Sequence, residues 1–536
     1  MRRSGRLAVV LVAAALAAVP VLGGTSASAR PPATMVTLHG VDLDSSTVLD
    51  LQGYMDKHRF TSAQLTSFYL GRIQQLNPIL HAVIETNPDA LAEATASDRH
   101  RKAQGSRGPL DGIPVLLKDN VDTGDREHTT AGSFALVGDT PDDAFLVTRL
   151  RAAGAVILGK ANLSEWANFR SFTSSSGWSG RGGQTNNPYV LDRNPCGSSS
   201  GSAVAAAADL ATVTIGTETD GSIVCPSGTN DDVGIKPTLG LVSRGGVIPI
   251  SAEQDTAGPI TRNMTDAAAV MSVIQGVDPS DAATAAAAPF VGRNYLDDLD
   301  PDALQGKRIG IWRGGGDVAE VNAVTDATIA VLRAQGATVI DNIDLPGLDD
   351  AFNNEFPALL VEFKHDINAY LAATPGSHPA DLAGLIAFDI AHADIEMPFF
   401  LQEIFDLAQA TNGDLADPVY VQERTTATTA ARNAIDSALA ANQLDAIVAP
   451  TNGPAWVTNH QTGDTFDDFV SASGPAAVAG YPDLTVPAGY AENGRLPIGM
   501  SFFGTAFSEP SLIAMGYAFE QATHARRAPS FLPTLP

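Results

Sequence analysis

Lys118 stands at the end of the apolar run in Gly112-Ile-Pro-Val-Leu-Leu-Lys-Asp-Asn120. Further on, six of the eight residues in Cys196-Gly-Ser-Ser-Ser-Gly-Ser-Ala203 are Gly or Ser, and Gly216-Thr-Glu-Thr-Asp-Gly-Ser222 follows another apolar run. Alone, each segment is ordinary: Gly-Ser runs are mostly turns, and a lysine after a strand is mostly a surface charge. Together they can activate a serine. A serine hydroxyl needs a base to take its proton. A lysine serves if it is neutral, and burial in apolar surroundings favours that form. Gly-rich loops let backbones approach closely, and the turn before Ser222 offers several backbone N–H groups that can hold an oxyanion.

Two other chemistries compete. Gly197-Ser198-Ser199-Ser200-Gly201 fits the G-x-S-x-G elbow of α/β-hydrolases, but that elbow needs a strand just before it and a histidine late in the chain. The segment before it, Asn186 to Pro195, reads as a Pro-containing loop, and His524 falls in a terminal helix beside Arg526 and Arg527. A metal site has less support. The ten histidines are scattered, with no H-E-x-x-H motif or Cys/His cluster. No metal and no cofactor is implied.

The elements that must position these residues alternate. Residues 41–105 read as helices: Thr61-x-x-Gln64 is a capping box, Leu65, Tyr69, Ile73 and Leu76 follow at helical spacing, and Asn77-Pro78 is expected to stop that helix. A second, polar helix is expected over 86–104. From 108 to 270 short apolar strands (Val115 to Leu117, Ala155 to Leu158, Thr212 to Ile215) alternate with helices at 146–153 and from Val204. That pattern predicts an α/β fold with a mostly parallel sheet covered on both faces. Strands return at 308–311, 337–340, 445–448 and 484–486, residues 350–440 are mainly helical, and a last helix runs over 511–524. The late strands imply one large sheet, hence one domain.

Bulk properties exclude some functions. The chain is 44% hydrophobic, enough for a large core. Its net charge of −27, from 33 basic and 60 acidic residues, leaves no basic stripe for phosphates, so no nucleic-acid partner is expected. Arg2, Arg3 and Arg6 precede an apolar stretch from Leu7 to Leu22 and an Ala27-Ser28-Ala29 cleavage site. Residues 1–29 are therefore expected to be a signal peptide of a secreted protein with no stable membrane association. The two cysteines, Cys196 and Cys225, are too few for a disulfide framework. They are expected to be small buried fillers rather than a bridge.

The three serine and lysine segments resemble the amidase signature family. Its pattern is a K-D lysine after an apolar strand, a G-S-S-G block and a G-T-D-x-G-G-S turn. Ser198 follows Lys118 by 80 residues and precedes Ser222 by 24, as the pattern asks. Gly159 to Trp166, Gly234 to Thr238, Asp255 to Pro259 with Arg262, and Gly480 to Pro482 with Thr485 to Pro487 fit as well, so the resemblance spans about 45–525. It implies the amidase signature fold over 30–536, with a signature core at about 108–270 and a variable, substrate-selecting helical region at about 350–440. It implies that Lys118 is the base, Ser198 a relay hydroxyl on a cis peptide bond, and Ser222 the nucleophile. It implies an oxyanion hole from the N–H groups of Thr219, Asp220, Gly221 and Ser222, with Ser199 in support.

Within the family, Gly216 to Pro226, Cys196 to Val204 and Asn162 to Arg170 resemble the bacterial peptide amidases most. The implied reaction is hydrolysis of the C-terminal amide of peptides, with release of ammonia. Aryl, aliphatic or fatty amides are the alternative substrates, and a non-catalytic binding protein on the same fold is the alternative from another class. Phe399, Phe400 and Phe405 cluster in the variable region, and core packing is the expected reason rather than a lipid groove. Two departures stand out. Asp220 replaces a Gly and Glu218 an Asp, both as in the peptide amidase subgroup. Asp231-Asp232 replaces part of an N-G-x-x-G run, and a solvent-facing loop is the expected setting for it.

Overall fold

The computed structural model describes residues 36–464 and 468–536; the targeting segment expected at 1–29 lies outside them. The described residues form one compact unit. Eleven strands make its central sheet: β1 (Val83–Thr86), β2 (Pro114–Lys118), β3 (Val156–Ala161), β4 (Val213–Glu218), β5 (Val233–Lys236), β6 (Thr256–Thr261), β7 (Arg308–Trp312), β8 (Thr338–Ile343), β9 (Ala446–Pro450), β10 (Asp483–Ala491) and β11 (Leu496–Phe503). Their spatial order is β8-β7-β9-β11-β10-β5-β6-β4-β2-β3-β1. The single large mixed sheet expected from the sequence is therefore present.

Its pairing is less parallel than expected. Four neighbouring pairs are parallel, in two blocks: β8-β7-β9 and β4-β2-β3. The other six are antiparallel. The connection between β10 and β11 shows why. Only residues 492–495 join them, and a parallel pair needs a crossover of a dozen residues or more.

Both faces of the sheet are covered. Alternate residues of one strand point to opposite faces. In β9, Ala446 and Val448 join one apolar cluster while Ile447 and Ala449 join another. Strands buried on both sides read as continuous apolar runs, as Val115-Leu116-Leu117 does.

Several local expectations shift. A helix does begin after the Thr61 capping box, but it runs through Pro78 to Leu80. Proline in a last turn removes only one hydrogen bond. The chain leaves the helix three residues later, at left-handed His81, where Asn77 clips Val83 through two 2.8 Å bonds. The helix expected from Val204 starts at Ser200. A hairpin of two-residue strands, Thr37–Leu38 and Val41–Asp42, precedes the helices of 41–105, and the edge strand β1 lies between two of them. Helices fill most of 348–442. There Phe405 packs against Phe363 and Trp166, and Phe400 against Trp178, so this cluster is core. Phe399 is exposed and stacks on His460.

Candidate active site

β2 and β4 are parallel neighbours, with Leu117 beside Ile215. Their carboxyl ends therefore emerge together. Lys118 is the last residue of β2, and the turn carrying Ser222 follows the last residue of β4. Crevices at the carboxyl ends of strands are where open α/β sheets bind ligands.

Lys118 is fully buried. Its Nζ donates to Ser198 Oγ at 2.7 Å and lies 2.9 Å from Thr217 Oγ1 and 3.2 Å from the Thr217 carbonyl. Asn120 Nδ2 donates to the same Thr217 hydroxyl at 3.0 Å. Burial pulls the lysine pKa down to about 7, and the carboxylates of Asp255 and Glu218 oppose that fall. A substantial neutral fraction at neutral pH is the state a lysine base requires.

Ser198 follows a cis peptide bond from Gly197, and its carbonyl accepts from Ser164 N–H at 3.0 Å. Ser199 ties the serine block to both neighbours. Its N–H donates to the Ser222 carbonyl at 3.1 Å and its hydroxyl to the Thr217 carbonyl at 3.0 Å. The structure thus brings Lys118, Ser198, Ser199 and the Ser222 turn into one cluster. It does not join the Ser198 and Ser222 hydroxyls by a hydrogen bond.

Ser222 is 8% exposed, whereas Lys118 and Ser198 show no surface at all, so of the three only the Ser222 side reaches solvent. The turn before it is left-handed at Gly221, with φ of +78°. The glycine that this angle favours is therefore at 221, and Asp220 needs no such conformation. Among the described residues, none of the N–H groups of Thr219, Asp220, Gly221 and Ser222 donates to a protein acceptor. Four unengaged donors on consecutive residues are what an oxyanion hole needs. The turn is fixed from outside. Glu218 Oε2 accepts from the N–H groups of Ile223 and Val224 at 2.7 and 3.0 Å, and Thr219 Oγ1 donates to Asp255 Oδ1 at 2.5 Å.

A cleft of about 650 Å³ opens onto this turn. Gly197, Asp220, Gly221, Phe352, Glu355 and Ser473 are among its lining residues. The Asp220 carboxylate accepts from Ser473 Oγ at 2.5 Å. Enclosure by the cleft walls, and then the Glu355 carboxylate, hold Asp220 well above the usual carboxylate range.

Two expectations are corrected here. Cys196 and Cys225 form a disulfide, with Cα atoms 6.1 Å apart. The bond from Ser199 to Ser222 draws the two loops together and sets the flanking cysteines face to face. Asp231 and Asp232 are buried, not solvent-facing. Asp231 Oδ2 accepts from Arg527 N–H at 2.8 Å and from the Tyr490 hydroxyl, with the Tyr189 hydroxyl 3.1 Å away.

Sequence reasoning gave no role to Thr217, Glu218 or Asp255. Their signal was adjacency: Thr217 and Glu218 lie inside the Gly216–Ser222 segment, and Asp255 opens another motif. Among the described residues, no group of three or more His, Cys, Asp or Glu side chains could hold a metal ion.

The profile of the Amidase family matches residues 64–513. Over 502 residues the chain is 45% identical to a probable amidase of Arabidopsis thaliana, covering 91% of this chain and 92% of that one. It is similar to the native peptide amidase of Stenotrophomonas maltophilia at 50% identity and a TM-score of 0.85, covering 91% of this chain and 99% of the other. A peptide amidase solved with the competitive inhibitor chymostatin is 51% identical, with a TM-score of 0.86 over 90% of this chain and 99% of the other.

Proposed function

The chain belongs to the amidase signature family of hydrolases, and from that premise we propose that it removes the C-terminal amide of peptides through an acyl-enzyme on Ser222. The observation that carries the chemistry is the 2.7 Å contact between Lys118 Nζ and Ser198 Oγ beside four open amide donors. Neutral Lys118 takes the Ser198 proton while Ser198 takes that of Ser222. This requires the Ser222 hydroxyl to turn toward Ser198 as substrate fills the cleft; catalytic bonds often form only then. Ser222 Oγ bonds to the carbonyl carbon, and the N–H groups of Thr219 to Ser222 hold the resulting oxyanion. The carbon–nitrogen bond breaks, the proton returns through Ser198 to nitrogen, and ammonia leaves. Water then attacks the ester by the same proton route and releases the acid.

The peptide substrate rests on the 50–51% identity to peptide amidases, one of which binds chymostatin, and on the Asp220 turn that they share by resemblance. Export through residues 1–29 is likewise a proposal, and the chemistry does not depend on it. In the test, ammonia release from peptide amides is measured beside a long-chain amide. Ser222→Ala and Lys118→Ala are expected to abolish release with unfolding midpoints close to wild type. Full activity in either variant refutes the assignment of roles, and a preference for the long-chain amide refutes the substrate.

A further inference from the structure

Glu218 is a buried carboxylate that the proposed proton route does not use. It is the last residue of β4, four positions before Ser222. Its Oε2 reaches past the turn and accepts from Ile223 and Val224, the residues just after the nucleophile. These amides open the helix Val224–Thr229, where backbone N–H groups have no partner within the helix. Bonds from a carboxylate to such donors are short and strong. One side chain therefore closes residues 218–224 into a loop that carries the four open amides of Thr219 to Ser222.

We propose that Glu218 is a positioning residue, whose carboxylate locks the chain on both sides of Ser222 so that the nucleophile and the four amide donors keep one fixed arrangement. The clamp uses one oxygen; Oε1 makes no hydrogen bond. An aspartate would fall one methylene short of the same reach. At the other end of the turn Asp255 grips the Thr219 hydroxyl and is itself fixed by the N–H groups of Ile250 and Ser251.

Glu218 also bears on the base. The charged groups that face it are Lys118 on β2, Lys236 on β5, Asp483 on β10 and Asp220 in the turn. The carboxylates acting on Lys118 are Asp255 and Glu218. Asp119, next in sequence, is engaged elsewhere, with Thr130 and Gly132. Removing the Glu218 charge while keeping its acceptor oxygen makes the protonated lysine less favourable, so Lys118 would lose its proton at lower pH.

This inference rests on Ser222 being the nucleophile, so Ser222→Ala is run in the same assay on an amide that wild type turns over. Glu218→Ala is expected to lower kcat about 100-fold with little change in KM, because a displaced turn misaligns the reacting atoms. Glu218→Gln keeps an acceptor and is expected to hold kcat within about tenfold. It should also shift the acid limb of the kcat/KM profile to lower pH, which a purely structural residue would not do. Wild-type kcat in Glu218→Ala overturns the proposal. So does Glu218→Gln that is as impaired as Glu218→Ala with its acid limb unmoved. If Ser222→Ala stays active, the underlying assignment fails instead.

Discussion

Two buried polar clusters flank the short helix Val224–Thr229. Before it lie Lys118, Ser198 and Ser222; after it lie Asp231 and Asp232. Both withdraw ionisable groups from water, and in both burial drives the pKa toward the neutral form. They differ in what is left open. Around Ser222 the turn amides and the nucleophile's hydroxyl have no protein partner. Around Asp231, tyrosine hydroxyls and a backbone amide converge on one oxygen. The contrast teaches that burial alone does not make a buried charge reactive. Reactivity needs a desolvated base together with unsatisfied neighbours that a substrate can satisfy. A carboxylate with three donors on one oxygen and the other shut away from solvent is a fastener, here for the C-terminal segment that supplies Arg527.

The sharpest way to break the comparison is to remove the base. Lys118→Met keeps the volume and the apolar contacts but takes away the proton acceptor. A loss of about 10⁴-fold in kcat/KM is expected, the upper range for general-base removal. No fall in the unfolding midpoint is expected, because a desolvated lysine stabilises nothing by its charge. The pH dependence carries a sign that can be checked. Lys118 acts only when deprotonated, so kcat/KM of wild type should rise with pH through about 7 and level off above it. For stability, a lysine lowered on folding imposes a cost that is fully present below its folded pKa and disappears above its unfolded one. Lys118→Met should therefore gain most over wild type below about pH 7 and nothing above the ordinary lysine range. A lysine that stabilises the fold, with a destabilised Met variant, would erase the distinction between the clusters.

The second cluster predicts the reverse pattern. Asp231→Ala leaves the Arg527 N–H without an acceptor, while the Tyr490 and Tyr189 hydroxyls keep the Ala525 and Arg527 carbonyls. A loss of about 2 kcal/mol in unfolding free energy is expected, within the 1–3 of one orphaned buried group. The kcat per folded molecule should stay within about twofold, since no group of this cluster touches the turn donors. A denaturant melt and an active-site titration separate the two readouts. A large fall in kcat without loss of stability would mean that Asp231 belongs to the site.

These two clusters also mark how far the sequence could be read. Lys118 was legible because an uninterrupted apolar run ends on it, and the serines because Gly-Ser density is unusual beside such runs. The division of labour between Ser198 and Ser222 came only from the family resemblance. β6 was not legible, because Gly258-Pro259 sits in its middle and both residues argue against a central strand. The glycine is there for contact: a Cβ would stand 2.0 Å from the Ile235 carbonyl oxygen. β11 hides behind Pro497 and Gly499 for the same kind of reason. The Cys196–Cys225 bridge and the burial of Asp231 depend on distant partners. Tyr490 and Arg527 lie 259 and 296 residues from Asp231, and no local pattern reports them.

Asp232 is the test case with the smallest expected effect, because it resembles neither neighbour. It is fully buried, yet neither carboxylate oxygen makes a hydrogen bond. Burial, reinforced by the Asp231 charge, raises its pKa well above the usual range, although Arg526 and Arg262 pull the other way. Unlike Lys118 it has no open donor turn beside it, and unlike Asp231 it fastens nothing. A carboxyl raised on folding contributes stability that is present below its unfolded pKa and lost as pH rises through the folded one. Asp232→Asn has nearly the same shape and cannot ionise. It should match wild type near pH 4 and exceed it by about 1 kcal/mol at neutral and alkaline pH, a modest figure because Arg526 already offsets part of the charge. Unfolding curves at several pH values measure this directly. If the variant is instead less stable at high pH, the Asp232 charge is being used by Arg526. The second cluster would then be a paired ionic fastener throughout rather than one fastening carboxylate beside an idle one.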